Sequence, residues 1–279
     1  MPELNTAVVM TPDHVITPDP ALQMATYWIT KTVKKMNLKG LQVTHLNGDK
    51  AKKTEVRDTL SMVDPLLFWG TGHGLECLFT GQIRGMSAED LSEWVILSSV
   101  TSSVEFGDKT FSITANPDWM EGRVVHLTSC LTAVELGVAI ADAGALAYIG
   151  YNRLFIVGFM EHPPESKYTQ SFMEPDIQIE LTLLDGKSVK DAIWASDFRS
   201  DDWIEYWRRS GDPNADAMIK GIIWNKVSRL VFGDETIKIR FVPDALSPWN
   251  VAGVAVVGTI GIGGVGIVSR EGRLAGIGK

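Results

Sequence analysis

Two segments of the sequence carry an apolar run up to a residue that can do chemistry. Phe68-Trp69-Gly70-Thr71-Gly72-His73-Gly74 reaches an imidazole set between glycines, and Val124-Val125-His126-Leu127-Thr128-Ser129-Cys130 reaches a thiol. A thiolate is a nucleophile, and a nearby imidazole can help form it and later protonate a leaving amine. The glycines beside His73 let the backbone turn sharply and leave room for a substrate chain. Backbone N–H groups at Gly74 and Cys130 are candidates for holding an oxyanion. Each residue alone has a plainer reading, His73 as a loop histidine and Cys130 as a small buried thiol. The chemistry needs both at one place.

The surrounding pattern supplies elements that would bring them there. Thr6–Met10 and Leu41–Leu46 read as strands, with an amphipathic helix over Ala21–Met36 between them. Thr54–Met62 suggests a short helix, and Pro65–Trp69 is a continuous apolar run suited to a strand buried on both faces. Gly122–Leu127 and Gly144–Gly150 read as strands flanking an apolar helix over Thr132–Ala143. A helix starting after Cys130 would set its positive end near the sulfur and lower the thiol pKa. Leu78–Thr80 and Leu97–Val104 are weaker strand candidates, and Ser87-Ala88-Glu89-Asp90 looks like a helix start. Residues 160–180, with Pro163, Pro164 and Pro175, read as loop. Ser188–Ser196 and Asp201–Arg209 read as helical, and Arg229–Phe241 as strand, Gly-Asp turn, strand. Strands alternating with helices predict an α/β sandwich with a mainly parallel sheet, and such sheets bind ligands outside the carboxyl ends of their strands.

The 279 residues carry 26 Lys+Arg against 34 Asp+Glu, a net charge of -8. That disfavours a general nucleic-acid binder, which needs a basic face. Two cysteines, Cys77 and Cys130, are too few for a disulfide framework and fit a reducing compartment. No basic segment followed by an apolar run opens the chain, so a cytoplasmic location is expected. Val251–Val268 is uncharged and Gly-rich, at the lower end of membrane-span length. It reads as a membrane-contacting tail or as packed strands or a flexible end, and the basic residues after it run against the positive-inside bias for a tail anchor. The expected division is 1–245 for the folded domain and 246–279 for this tail.

The strand ending in Gly-His-Gly, the strand ending in Ser-Cys with an apolar helix, and Gly144-Ala145-Leu146-Ala147-Tyr148-Ile149-Gly150 together resemble the caspase–gingipain superfamily of cysteine peptidases (clan CD), in its gingipain-like branch. The order His then Cys and their 57-residue spacing are similar to that family's. Leu78-Phe79-Thr80-Gly81 resembles its hairpin after the histidine, Asp185–Ala192 a later helix start, and Leu230-Val231-Phe232-Gly233-Asp234 its late turn. Ser129 departs mildly, since many members have Ala or another small residue there. The resemblance implies a caspase-like three-layer sandwich, His73 as base, Cys130 as nucleophile, and a protein or peptide substrate. It implies no obligatory cofactor, although calcium activates some members. In that family a residue at the end of the first strand often lines the pocket for the side chain before the scissile bond. Asp13 stands there, 60 residues before His73, and implies cleavage after Arg or Lys; a solvated turn residue is the plainer reading. Glu76 and Asp118 are further acidic candidates. A catalytically silent adaptor of the same fold is the alternative function.

Zinc is the sharpest rival, because His73, Cys77, His126 and Cys130 make a suitable ligand set. Residues four apart on a strand lie about 13 Å apart, too far to share one ion. Gly70-x-Gly72-x-Gly74 has neither the P-loop Gly-Lys-Ser/Thr nor the Rossmann spacing.

Overall fold

The computed structural model describes residues 3–13, 19–82, 94–97, 102–106, 109–113, 115–158 and 162–239, with two short strands nearer the C-terminus. In chain order the elements are β1 (Glu3–Thr11), α1 (Pro20–Leu38), β2 (Gln42–Asn47), α2 (Lys53–Val63), β3 (Pro65–Thr71), β4 (Gly74–Leu75), β5 (Leu78–Thr80), β6 (Trp94–Leu97), β7 (Ser102–Phe106), β8 (Lys109–Ile113), β9 (Val124–Thr128), α3 (Leu136–Asp142), β10 (Ala147–Tyr151), α4 (Lys167–Leu184), α5 (Val189–Ser210), α6 (Ala215–Ser228) and β11 (Arg229–Gly233). The chain divides into two compact units, Met1–Arg240 and Phe241–Lys279. In the second, β12 (Ile267–Val268) pairs antiparallel with β13 (Leu274–Ala275).

The first unit is built on a six-stranded sheet ordered β11-β10-β9-β3-β1-β2. All its neighbours are parallel except β10 and β11. This is the mixed α/β architecture with a mainly parallel sheet that the alternating pattern predicts. Its strands are apolar on both faces because helices cover both. Val8, Met10, Phe68, Val125, Leu127 and Tyr148 share a core with Val56 and Leu60 of α2 and Leu136 and Ile140 of α3. The alternate residues Ala7, Val9, Leu67, Trp69, His126 and Ile149 are fully buried too, and by strand alternation they face the opposite side. Helices α4, α5 and α6 form a further core around Phe172, Trp203, Trp207, Met218 and Ile222.

Local chemistry sets several boundaries. Asp19 caps α1, accepting from the N–H groups of Ala21 and Leu22, and Pro20 takes the first helical position. Ser188 and Asp191 form a capping box at the start of α5, and Gly211 ends that helix in the left-handed region at φ 66°. The two helical stretches read separately over 188–209 are therefore one helix.

Three expectations need correction. Most of 160–180 is not loop: 167–184 is α4, and Pro175 lies inside it. An interior proline costs a helix roughly 3 kcal/mol, and burial of Phe172, Met173, Ile177, Ile179 and Leu183 outweighs that. The helix after Cys130 begins at Leu136 rather than Thr132. The intervening backbone is held by other segments: the N–H groups of Leu131 and Ala133 donate to the carbonyls of Arg153 and Tyr151, and those of Glu135 and Leu136 to the carbonyl of Glu76. The second strand expected before Phe241 is a single bridge between Lys238 and Ser188.

The helix start read at 87–90 and residues 251–266 of the apolar tail lie outside the described residues. Among the described residues no helix is long and apolar enough to cross a membrane.

Candidate active site

Strands β3 and β9 are parallel neighbours, and Thr71 is paired in register with Thr128. His73 and Cys130 each come two residues beyond that matched pair, so the topology delivers both to one edge of the sheet. Two hydrogen bonds tie the emerging loops together. The Thr71 hydroxyl donates to the Thr128 carbonyl (3.2 Å), and the Ser129 hydroxyl donates to the Gly72 carbonyl (2.9 Å). Ser129, the mild departure from the family pattern, thus clamps the two loops. Gly74 is packed so closely that a Cβ there would lie 2.3 Å from the Cys130 carbonyl oxygen. Its lack of a side chain is a steric requirement of the site.

His73 and Cys130 line one cavity of about 80 Å³, together with Leu22 and Ala25 of α1, Gly72, Thr128 and Phe155. Its wall is largely apolar. The imidazole is half exposed, and its Nε2 lies 2.9 Å from Oδ2 of Asp19. Asp19 therefore has two tasks on two oxygens: Oδ1 caps α1 and Oδ2 faces the histidine. A carboxylate in that place can orient the ring. Sequence reasoning missed this role. Asp before Pro at a helix start signals a cap, and nothing local signals a partner 54 residues away.

The Cys130 sulfur is half-buried and accepts a hydrogen bond from the Phe155 N–H at 3.3 Å. Burial pushes its pKa up, the Phe155 N–H opposes this, and the Asp19 charge adds to the rise. The expected lowering by a helix N-terminus is overturned, because α3 begins six residues after the sulfur and its first N–H groups are engaged by Glu76. The thiol rests protonated and needs a base to become a nucleophile. Leu131, directly after it, has a left-handed backbone at φ 60°, which a branched side chain rarely adopts.

Asp13 follows β1 and is exposed. Its N–H donates to Oε1 of Gln82 (2.9 Å), and its carboxylate lies against Gly48. It lines a larger cavity of about 640 Å³ with Thr26, Tyr27, Lys31 and Lys34 of α1. It is not among the residues lining the His73–Cys130 cavity, and α1 contributes different residues to each. Glu76 and Asp118 are exposed, and neither lines that cavity. Among the described residues no group of three or more His, Cys, Asp and Glu is placed to hold a metal ion.

Two solved structures of gingipain R align with this chain. One is the complex of Porphyromonas gingivalis RgpB pro- and mature domains, at a TM-score of 0.42 and 10% sequence identity. The other is the Arg-specific cysteine proteinase gingipain R (RgpB), at a TM-score of 0.38 and 10% identity. Each alignment covers 85% of this chain and 48% of the other, so the chain spans about half their length. No protein-family model and no curated protein matches the sequence.

Behind the cavity lies a group of charges that the sequence did not reveal. His126, Asp176 and Glu180 are almost wholly buried. Strand alternation turns His126 away from the α2–α3 face, and Asp176 and Glu180, one helical turn apart on α4, flank it. Glu180 Oε1 contacts Nδ1, and Asp176 Oδ1 lies 3.3 Å from Nε2. The His126 ring stacks with that of Trp69, its neighbour in register on β3, at 6.3 Å and 2°. Burial would push the His126 pKa down, but the two carboxylates outweigh it and hold it up at about 10. Burial lifts Glu180 to about 7 against the pull of His126. For Asp176 the histidine and the Tyr151 and Thr128 hydroxyls overcome burial, and its pKa is lowered.

Proposed function

We propose that the chain is a cysteine peptidase with a Cys130–His73 dyad. The observation that carries the reading is the convergence of an imidazole with its own carboxylate and a protonated thiol on one small apolar-walled cavity. His73 takes the proton from the Cys130 sulfur, and the sulfur attacks the carbonyl carbon of the peptide. Asp19 stabilises the resulting imidazolium. The tetrahedral oxyanion is assigned to the backbone N–H groups of Gly74 and Cys130. Collapse expels the amine, which receives its proton from His73, and leaves a thioester on Cys130. Water, deprotonated by His73, hydrolyses the thioester and restores the thiol.

The finer part of the proposal is a preference for Arg or Lys before the scissile bond. Its support is acidic: Asp19 contacts His73, which lines the cavity, and Asp13 stands at the same edge of the sheet beside α1. The substrate class is protein or peptide, and the location in the cell is proposed as cytoplasmic.

The test compares wild type with Cys130→Ala on a peptide library varied before the scissile bond, with reductant and with and without calcium. Cleavage by wild type alone, after Arg or Lys, is expected, and Asp13→Asn is expected to weaken that preference. Equal cleavage by both proteins removes Cys130 from the mechanism. No cleavage by either favours the silent adaptor.

A further inference from the structure

The buried charges on α4 connect to the nucleophile along two routes. The first runs through Thr128, two residues before Cys130 and itself in the cavity wall. Its hydroxyl donates to Oδ2 of Asp176 at 2.8 Å while accepting from Trp69 Nε1 at 3.1 Å. The second runs through Tyr151, whose hydroxyl donates to Oδ1 of the same carboxylate. The Tyr151 carbonyl accepts the Ala133 N–H (3.0 Å) in the turn that follows Cys130. Its ring lies 4.6 Å from that of Phe155, the residue whose N–H contacts the Cys130 sulfur. One carboxylate thus grips the chain before the nucleophile, the turn after it, and the segment donating to its sulfur.

We infer that Asp176 is a positioning residue that holds the Cys130 sulfur in the cavity by accepting hydrogen bonds from Thr128 and Tyr151. The inference rests on the peptidase reading of that cavity. Buried carboxylates are costly, and a core at this depth is more cheaply filled by apolar side chains. An ionised carboxylate does what they cannot, since it is acceptor-only and takes both hydroxyl protons at once. His126 supplies the compensating positive charge, and Glu180 holds His126 from its other nitrogen. The arrangement resembles the support of a reactive residue by hydrogen-bonded neighbours whose own rotamers are fixed by packing.

The test reads the sulfur directly. Full-length wild type, Thr128→Val, Tyr151→Phe and Asp176→Asn are treated with iodoacetamide, and alkylation of Cys130 relative to Cys77 is followed by peptide mapping. Cys77 is the internal reference, because general loosening raises both thiols. Each hydroxyl variant keeps the shape of its side chain and removes one grip. The Cys130:Cys77 ratio is expected to fall about fivefold in each, the effect of losing one hydrogen bond. On a peptide substrate Tyr151→Phe is expected to lower kcat with KM unchanged, since Tyr151 is not among the residues lining the cavity and the substrate's own contacts are intact. A ratio that stays at the wild-type value or rises in both folded hydroxyl variants overturns the inference, whether or not Asp176→Asn folds. If wild type cleaves no peptide, the peptidase reading fails separately, and the alkylation ratio still decides whether Asp176 positions the sulfur.

Discussion

At the scale of single residues, the site depends on side chains that serve two partners at once. Asp19 is the clearest case, because its cap and its contact with His73 use different oxygens. Asp19→Asn separates the two tasks. Asn is as good a cap as Asp, so thermal stability should change little. The charge facing the imidazolium is lost, and kcat should fall about tenfold, equivalent to ~1.4 kcal/mol of transition-state stabilisation. A variant with wild-type kcat would show that Asp19 only caps the helix. The sequence points to His73 and Cys130 because each follows an apolar run and a small or glycine-rich stop, and the topology brings these two candidates to one edge of the sheet. Asp19 was legible only as a helix start. Phe155, which acts through its backbone N–H, leaves no trace in residue type.

Among the elements, the decisive contact joins the loop after β3 to the loop after β9. Gly74→Ala would place a methyl carbon 2.3 Å from the Cys130 carbonyl oxygen, and no flexible side chain can yield there. We expect a stability loss of about 2 kcal/mol from overpacking and a loss of activity of about a hundredfold from displacement of the reacting groups. Equal activity in wild type and variant would mean that the two loops move independently. The same scale explains what the sequence hid. Periodicity located β1, α1, β3, β9 and β10 within a few residues, because buried parallel strands are continuous apolar runs and α1 has an amphipathic stripe. Pro175 and its neighbours make α4 look like loop in the sequence, and only packing against the sheet and α5 reveals the helix. Without a helix there, nothing in the sequence puts Asp176 and Glu180 on one face. α6 was not anticipated, since its apolar residues are spread around the helix rather than gathered on one side. The sequence pattern starts α3 four residues too early, because it does not show that Glu76 takes the helix's first N–H groups.

For the whole molecule, the buried group on α4 and β9 ties stability to pH. The charges facing it are His126 on β9, Asp176 and Glu180 on α4, and Arg229 on β11 beside the Tyr151 hydroxyl. His126 is held at about 10 against an ordinary 6.5, so its contribution is complete below pH 6.5 and is lost as pH rises through 10. Glu180 is raised to about 7 from 4.5, so its contribution is present below pH 4.5 and is lost as pH rises through 7. Asp176 is lowered, so its contribution is present above 3.8 and is lost only as pH falls through its folded value. The unfolding free energy from chemical denaturation should therefore decline from pH 5 to pH 9, by about 1 kcal/mol per pH unit where one group dominates. Glu180→Gln should flatten the segment between pH 5 and 7. A free energy that rises over the interval would refute the assignment of charges.

A thiol that rests protonated has a bearing on redox chemistry. Peroxides oxidise thiolates, and both cysteines of this chain have pKa values pushed up by burial. Cys130 should form sulfenic acid slowly at neutral pH, and the protein should keep its thiols through exposure to micromolar peroxide that inactivates enzymes with a preformed thiolate. The intact mass after such treatment checks this, since each oxygen gained on sulfur is directly visible. The burial that keeps the sulfur protonated until a base readies it for a substrate would then keep it inert toward oxidants between turnovers.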